Sequence, residues 1–306
     1  VGPRGGGPEP HRRHRARHRR AEARAGRQLT LTTLDARFPR RRAVVTGGAS
    51  GLGLAAAELL AASGWNIALL DRDVPRLAEA VLSVQAKGAA HCEGHAVDIT
   101  DEQAVKAAID GFASRQGGLD LAMNCAGVAV AGDLLETPMA DWRWIVGINL
   151  LGVVHSCRAQ VPHMIAAKGG LIVNVASVAA FASGARMGAY NATKAAVVAL
   201  SETLFQELAE QEIQVTAAMP GFFRTRLMEH ARAPADAHGF AQKMMQRSNL
   251  EAGAVAREIL QRAAAGEIHV VLPRLYRWLW RGKRLAPRAF LRWMTRVRRR
   301  AIARKG

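Results

Sequence analysis

Three polar side chains stand in an order that can move a proton. In "AYNATKAAVVAL", residues 189–200, Tyr190 and Lys194 are four residues apart, so on a helix they share one face a single turn apart. An ammonium beside a phenol stabilises the phenolate and brings the phenol toward the pH range where it exchanges a proton with an alcohol. Alone, this spacing is common on ordinary helix surfaces. Thirteen residues before Tyr190, however, Ser177 in "NVASVAA" closes an apolar run that reads as a strand. That is the edge on which open α/β sheets bind ligands.

The elements that must position these residues are legible as alternating runs. Strands are expected at 43–47, 66–71, 94–99, 119–127, 170–177, 214–221 and 268–273. Helical periods fall near 52–63, 74–87, 101–115, 139–167 and 190–210. The strands read as continuous apolar runs, as expected when helices cover both faces of a sheet. Strict alternation of this kind predicts an α/β fold, a Rossmann-like doubly wound parallel sheet of about seven strands.

The first strand runs into "TGGASGLGLAAAELL", with Gly47, Gly51 and Gly53 at the turn into a helix. Glycine lets a backbone turn sharply and approach a pyrophosphate, which the helix N-terminus then stabilises. The second strand ends in "LLDRD". Asp71 there can accept bonds from both adenosine ribose hydroxyls and would repel a 2′-phosphate, which favours NAD; Arg72 beside it keeps NADP open. Asp98, in "VDIT", reads either as a turn or N-cap residue or as a partner of the adenine amino group.

Taken together with "NCAG" at 124–127, Asn149 in "NLLG" and "PGFFRT" at 220–225, these motifs resemble the short-chain dehydrogenase/reductase family over about residues 40–273. The resemblance implies Tyr190 as general acid/base, Ser177 as a hydrogen-bond donor to the same substrate oxygen, and Lys194 as the group that lowers the Tyr190 pKa and holds the nicotinamide ribose. It implies that Asn149 kinks its helix and organises a proton-relay water. Gly47, Ser50, Gly51, Leu52, Gly53, Asp71, Arg72, Asp98 and Ile99 would bind the cofactor. Asn124, Ala126 and Gly127 would line its channel, and Thr225 with the backbone after Pro220 and Gly221 would bind the carboxamide. Cys125 departs from the family pattern, where a second Asn often occurs; packing is affected more than chemistry. A homodimer or homotetramer built on the long helices is expected by the same analogy.

Charge divides unevenly along the 306 residues. The formal net charge is +18, yet residues 1–42 carry 13 Arg against 3 acids and residues 267–306 carry 13 Lys/Arg against 1 acid, leaving 43–266 at −4. The expected organisation is a basic extension at 1–41, too polar to offset its ordering entropy, a nucleotide-binding domain at 42–273, and a basic amphipathic segment at 274–306. Three cysteines without a C-x-x-C pair suggest reduced thiols and no metal site. The longest strongly apolar run, 146–154, is shorter than the roughly 20 residues of a membrane span. No apolar signal-peptide core opens the chain, so a cytoplasmic location is expected, with the inner membrane surface as a second expectation. In the tail, Leu275, Leu279, Leu285, Ala289, Trp293 and Val297 recur at helical steps among Arg and Lys, a pattern of interfacial segments; an acidic partner or a subunit contact are alternatives, and nucleic acid is not expected.

The leading expectation is an NAD(P)-dependent oxidoreductase that interconverts a secondary alcohol and a ketone on an apolar or lipid-like substrate. The segment 222–250, with Phe222, Phe223, Leu227, Met228, Phe240, Met244 and Met245, would close over it; packing of the same residues against the body is the plain alternative. His230 and His238 read as solvated. Two other functions remain: a 3-oxoacyl-thioester reductase, and a non-catalytic cofactor-binding or nucleic-acid-binding scaffold.

Overall fold

In a computed structural model the seven strands lie side by side and all parallel, because helices carry every crossover. The structure describes residues 31–234, 239, 243, 245, 248 and 250–303. Outside them fall residues 1–30 of the basic extension, 304–306 of the tail, and His238, Phe240 and Met244 of the 222–250 segment.

The strands are β1 (Arg42–Thr46), β2 (Asn66–Asp71), β3 (His91–Ala96), β4 (Leu121–Asn124), β5 (Gly170–Val175), β6 (Ile213–Pro220) and β7 (His269–Leu272). Their order across the sheet is β3-β2-β1-β4-β5-β6-β7. The chain therefore reverses its winding direction between β1 and β4, and this switch opens a crevice at the carboxyl edge. Every residue of β1 and β4 is buried, as expected of central strands covered on both faces.

One face carries α2 (Gly51–Ala61), α3 (Val74–Ala86) and α9 (Ala252–Ala264), whose apolar sides enclose Leu60, Trp65, Leu69 and Ile259. The other carries α4 (Glu102–Gln116), α6 (Gly152–Ala166) and α8 (Gly188–Glu207), around Ile109, Phe112, Ile172 and Val197. Local chemistry sets the helix starts: Asp73 accepts from Arg76 N and Asp101 accepts from Gln103 N and Ala104 N. Gly117 ends α4 in the left-handed region at φ 73°.

Three features differ from the expectation. β3 lies three residues earlier than the predicted 94–99: as the edge strand it is buried only in part, so its pairing with β2, His91 opposite Asn66, sets its limits rather than an apolar run. The residues after it turn away, with Asp98 accepting from Thr100 N at 2.9 Å. The predicted helix at 139–167 is divided by a π-helical stretch, Gly147–Leu151, between α5 (Met139–Val146) and α6. Such widened turns locally re-aim side chains.

The third difference lies at the ends of the domain. Within the 1–41 stretch expected to lack order, Thr32–Arg37 forms a short helix, α1, and Leu31, Leu34 and Phe38 are buried. Trp65 holds this segment: its Nε1 donates to Asp35 at 2.8 Å and its ring meets Phe38 edge-on. The domain thus extends back to Leu31. At the other end, α10 (Arg274–Leu285) and α11 (Pro287–Ala303) follow β7. Tyr276, Leu279 and Trp280 of α10 pack on the α4/α6/α8 side of the core, and the Trp280 ring meets His269 at a tilt, 5.0 Å between centres. Pro287 opens α11, a position that suits its missing N–H.

Trp65 is fully buried, so Trp65→Ala is expected to cost about 3–5 kcal/mol. Denaturant unfolding at constant pH measures that loss, and near wild-type stability would show that the α1 segment is not held through this residue.

Candidate active site

The turn after β1 is set by lack of space. A Cβ on Gly53 would lie 2.2 Å from the Gly47 carbonyl oxygen, and one on Gly47 would lie 2.8 Å from Ala126 N. Gly47 and Gly51 also sit at φ 65° and 54°, where side chains are strained. At the start of α2, Ser50 makes no side-chain cap bond, so the helix N-terminus keeps its donors for a ligand. Thr225 Oγ1 lies beside this turn, 3.1 Å from where a Gly51 Cβ would be.

Asp71 stands at the tip of β2, accepting from Ala49 N and Asp73 N, both at 3.1 Å. These two bonds fix the carboxylate at the crevice edge. Arg72, Asp98 and Ile99 line the same cavity. Asp98 also accepts from the Thr100 backbone and hydroxyl, which holds its carboxyl below the usual range; its turn role and its place at the cavity coexist.

Ser177, two residues beyond β5, accepts from Ala179 N at 3.1 Å and thereby starts the short helix α7 (Ala179–Ala182). The same hydroxyl donates to Pro220 O at 3.4 Å and stands close enough to Tyr190 to oppose the upward push on its phenol. Lys194, one turn further along α8, donates to Val175 O at 2.8 Å and holds its Nζ 5.9 Å from the centre of the Tyr190 ring. All three are buried yet reach the cavity.

Burial changes the electrostatics expected from spacing alone. The Tyr190 phenol is pushed up by desolvation, with the Ser177 hydroxyl opposing, and the Lys194 ammonium is pushed down to about 8, again by desolvation. The ammonium does not pull the phenol down in the chain by itself, because both groups lose hydration on entering the core. Cys125, on the cavity wall, is raised to about 12 for the same reason. All three thiols are free.

Two predicted residues act from behind the cavity wall. Asn149, in the π-helical stretch, is fully buried; its Oδ1 accepts from Val128 N at 2.8 Å and its Nδ2 donates to Val128 O at 3.0 Å. It braces the irregular stretch that follows Gly127, whose Cβ position lies 3.3 Å from Asn149 Oδ1 and 3.4 Å from Lys194 Nζ. Asn124 does not line the channel. Its side chain turns into the core, donating to Asn174 Oδ1 at 2.8 Å and accepting from Gln160 at 2.9 Å. Asn174 in turn donates to Ser201 Oγ at 3.1 Å, so a closed polar set ties β4 and β5 to α6 and α8. Asn124 is the last residue of β4 and faces the core, while Ala126 and Gly127, in the turn beyond the strand, reach the cavity.

The cavity measures about 1090 Å³, above the usual few hundred Å³ to 1,000 Å³ of a single small-molecule site. Gly47, Ser50, Gly51, Leu52, Gly53 and Asp71 form one end, and Pro220, Gly221 and Thr225 a side. With a glycine turn that admits no side chain, donors at a helix start and a carboxylate at the β2 tip, these residues fit a dinucleotide. The other end is apolar: Val128, Met187, Phe222, Leu227, Met228 and Met245 surround Tyr190. His230 also borders it while remaining exposed. Among the described residues no group of three His, Cys, Asp or Glu is placed to hold a metal ion.

Sequence reasoning missed the wall supplied by the tail. Leu291, Met294 and Thr295 of α11 line the cavity. Tyr276 covers Gly221, where a Cβ would lie 2.3 Å from its ring, and Lys283 Nζ donates to Phe181 O and Ser183 Oγ at 2.7 and 2.9 Å. The apolar period of the tail marked a helix; only the fold reveals what it covers.

Known proteins share this arrangement. A family model described as short chain dehydrogenase matches residues 41–236. The short-chain dehydrogenase/reductase ABA4 of Pyricularia oryzae is 38% identical over 189 residues, 60% of this chain and 70% of its own length. A short chain dehydrogenase/reductase from Burkholderia phymatum, crystallised in complex with NAD, superposes with a TM-score of 0.75 at 31% identity, covering 80% of this chain and 92% of the other. An NAD+-bound xylitol dehydrogenase gives 0.66 at 27%, covering 76% and 93%.

The buried Lys194 yields a stability prediction for the chain without ligand. Its folded pKa of about 8 lies below the ordinary 10.5, so the unfolded chain binds its proton more tightly, and stability rises with pH across that window. Lys194→Met is expected to stabilise the fold by on the order of 2 kcal/mol below pH ~8. That gain should fade between about 8 and 10.5. Unfolding measured across this range checks it, and a gain independent of pH would point to packing alone.

Proposed function

Because this chain belongs to the short chain dehydrogenase family and is an oxidoreductase by that membership, we propose that it interconverts a secondary alcohol and a ketone, with NAD as the hydride partner and a hydrophobic molecule as substrate. The observation that carries this reading is the convergence of Ser177, Tyr190 and Lys194 on one cavity, between its dinucleotide-shaped end and its apolar end.

The nicotinamide, when bound, supplies the hydride chemistry. The chain's own residues do the rest. Ser177 donates a hydrogen bond to the substrate oxygen and steadies the charge that develops there. Tyr190 gives its phenolic proton to that oxygen in reduction and takes it back in oxidation. A phenol kept protonated by burial suits the acid role at neutral pH. Lys194, held by Val175 O, is a positioning residue for Tyr190 and carries the positive charge that steadies its phenolate. Asn149 keeps Val128, and with it the cavity wall, in place.

Burial of Tyr190 among Val128, Met228 and Met245 supports an apolar substrate, since these side chains offer little to a polar chain of hydroxyls. Support for NAD comes from Asp71, whose charge opposes a 2′-phosphate, and from the NAD-bound structures at 31% and 27% identity.

Tyr190→Phe is expected to reduce turnover by roughly 10²–10⁴-fold while NADH binding, followed by fluorescence, stays within about twofold of wild type. Retained turnover on a panel of alcohols and ketones of graded chain length would rule out this proton path. Asp71→Ser should weaken NAD binding about tenfold and bring NADP binding closer to it. Equal loss for both cofactors would mean that the carboxylate only holds its turn.

A further inference from the structure

The helices that close the cavity carry a second apolar face that none of the described residues covers. In α10, Tyr276, Leu279 and Trp280 point into the core, and Lys283 on the same side binds Phe181 O and Ser183 Oγ at the end of α7. Leu275, Trp278 and Leu285 form a separate stripe, three and seven residues apart, on the side turned away from the core. They are 70%, 68% and 86% exposed. Single exposed leucines are ordinary, but an aligned set with a tryptophan is not.

Positive charge borders this stripe without interruption. Between residues 274 and 303 there are ten arginines and Lys283, and no Asp or Glu. Arg274, Arg281, Arg284, Arg288, Arg292 and Arg296 are exposed. On α10, Arg274 and Arg281 flank the apolar stripe on one side, and the Arg281 guanidinium lies over the Trp278 ring at 5.3 Å. Along α11 the exposed arginines recur every four residues from Arg288 to Arg296, while Leu291, Met294 and Thr295 line the cavity.

We propose that α10 and α11 are a docking face for an anionic lipid surface, with Leu275, Trp278 and Leu285 entering the interface and the arginines pairing with headgroup phosphates. Two observations select this occupant. A second copy of the face would set the same positive charges against each other. A nucleic acid would use the arginines but would leave the two leucines in water, whereas a bilayer takes both parts. None of the described helices is long and apolar enough to cross a membrane, and surface attachment requires none. The consequence for the cleft follows from α11, whose inner side is cavity wall: the docked protein holds the apolar end of its cavity within one helix of the lipid.

The test uses the full chain, including the basic N-terminal residues, and needs neither cofactor nor substrate, so it stands or falls separately from the alcohol/ketone reading. Wild type is sedimented with vesicles of phosphatidylcholine alone and of phosphatidylcholine with one third phosphatidylglycerol, alongside Leu275→Ser/Trp278→Ser/Leu285→Ser. Unchanged circular dichroism and an unchanged denaturant midpoint show that the variant is folded. Wild type is expected to partition onto the anionic vesicles at least tenfold better than onto neutral ones, to be released by high salt, and to lose at least tenfold of that partition in the triple variant. Wild type remaining in solution, whether or not it binds RNA, would overturn the proposal. Equal binding of the triple variant would overturn it too, by locating attachment elsewhere in the chain.

Discussion

At the carboxyl end of β1 the chain leaves no space for a methyl group, and the rest of the site is arranged around that contact. The start of α2 crosses the Gly47 carbonyl so closely that any side chain on Gly53 would overlap it, and the turn after β4 presses on Gly47 from the other side. Backbone is thereby brought to the surface of the crevice with its helix donors forward. A bulkier turn would push α2 away from the sheet and close the place where the winding reverses. Asp71 on β2 and Ala126 and Gly127 after β4 reach the same crevice because their strands flank β1 in register.

The end of the cavity that holds Tyr190 depends on burying polar groups that are satisfied by one another. Asn124, Asn174, Gln160 and Ser201 bridge strands and helices beneath the cavity, and Asn149 closes two bonds on Val128. An unpaired polar atom at these depths would be costly, so each arrangement of helix against sheet that breaks a bond is disfavoured. Placement of α8, and with it Tyr190 and Lys194, inherits that specificity. The same burial raises the phenol and lowers the ammonium. On the proposed reaction, the proton stays on tyrosine until a substrate oxygen is there to receive it.

Much of this was legible in residue order. Continuous apolar runs marked β1, β2, β5 and β6 because central parallel strands bury both faces, and the glycine turn announced itself through residue types that few other geometries require. β3 was shifted because an edge strand needs only one buried face, and pairing rather than hydrophobicity sets its limits. The α1 helix was hidden by an arginine-rich context, although Leu31, Leu34 and Phe38 carried the signal of a small apolar face. Asn124 sat in the right motif but is the last residue of β4, with its side chain in the core, a distinction that depends on where the strand ends.

By itself the sequence determined the alternation of strand and helix, the turn that admits only glycine, and the one-turn spacing of Tyr190 and Lys194, since each follows from local backbone geometry and the types of a few adjacent residues. Tertiary structure alone decided that Asn124 braces rather than lines the cavity, that burial opposes the ammonium's pull on the phenol, and that α11 returns over the cleft. Those outcomes turn on which surfaces meet across long separations, where packing and desolvation rather than neighbouring residues set the energy.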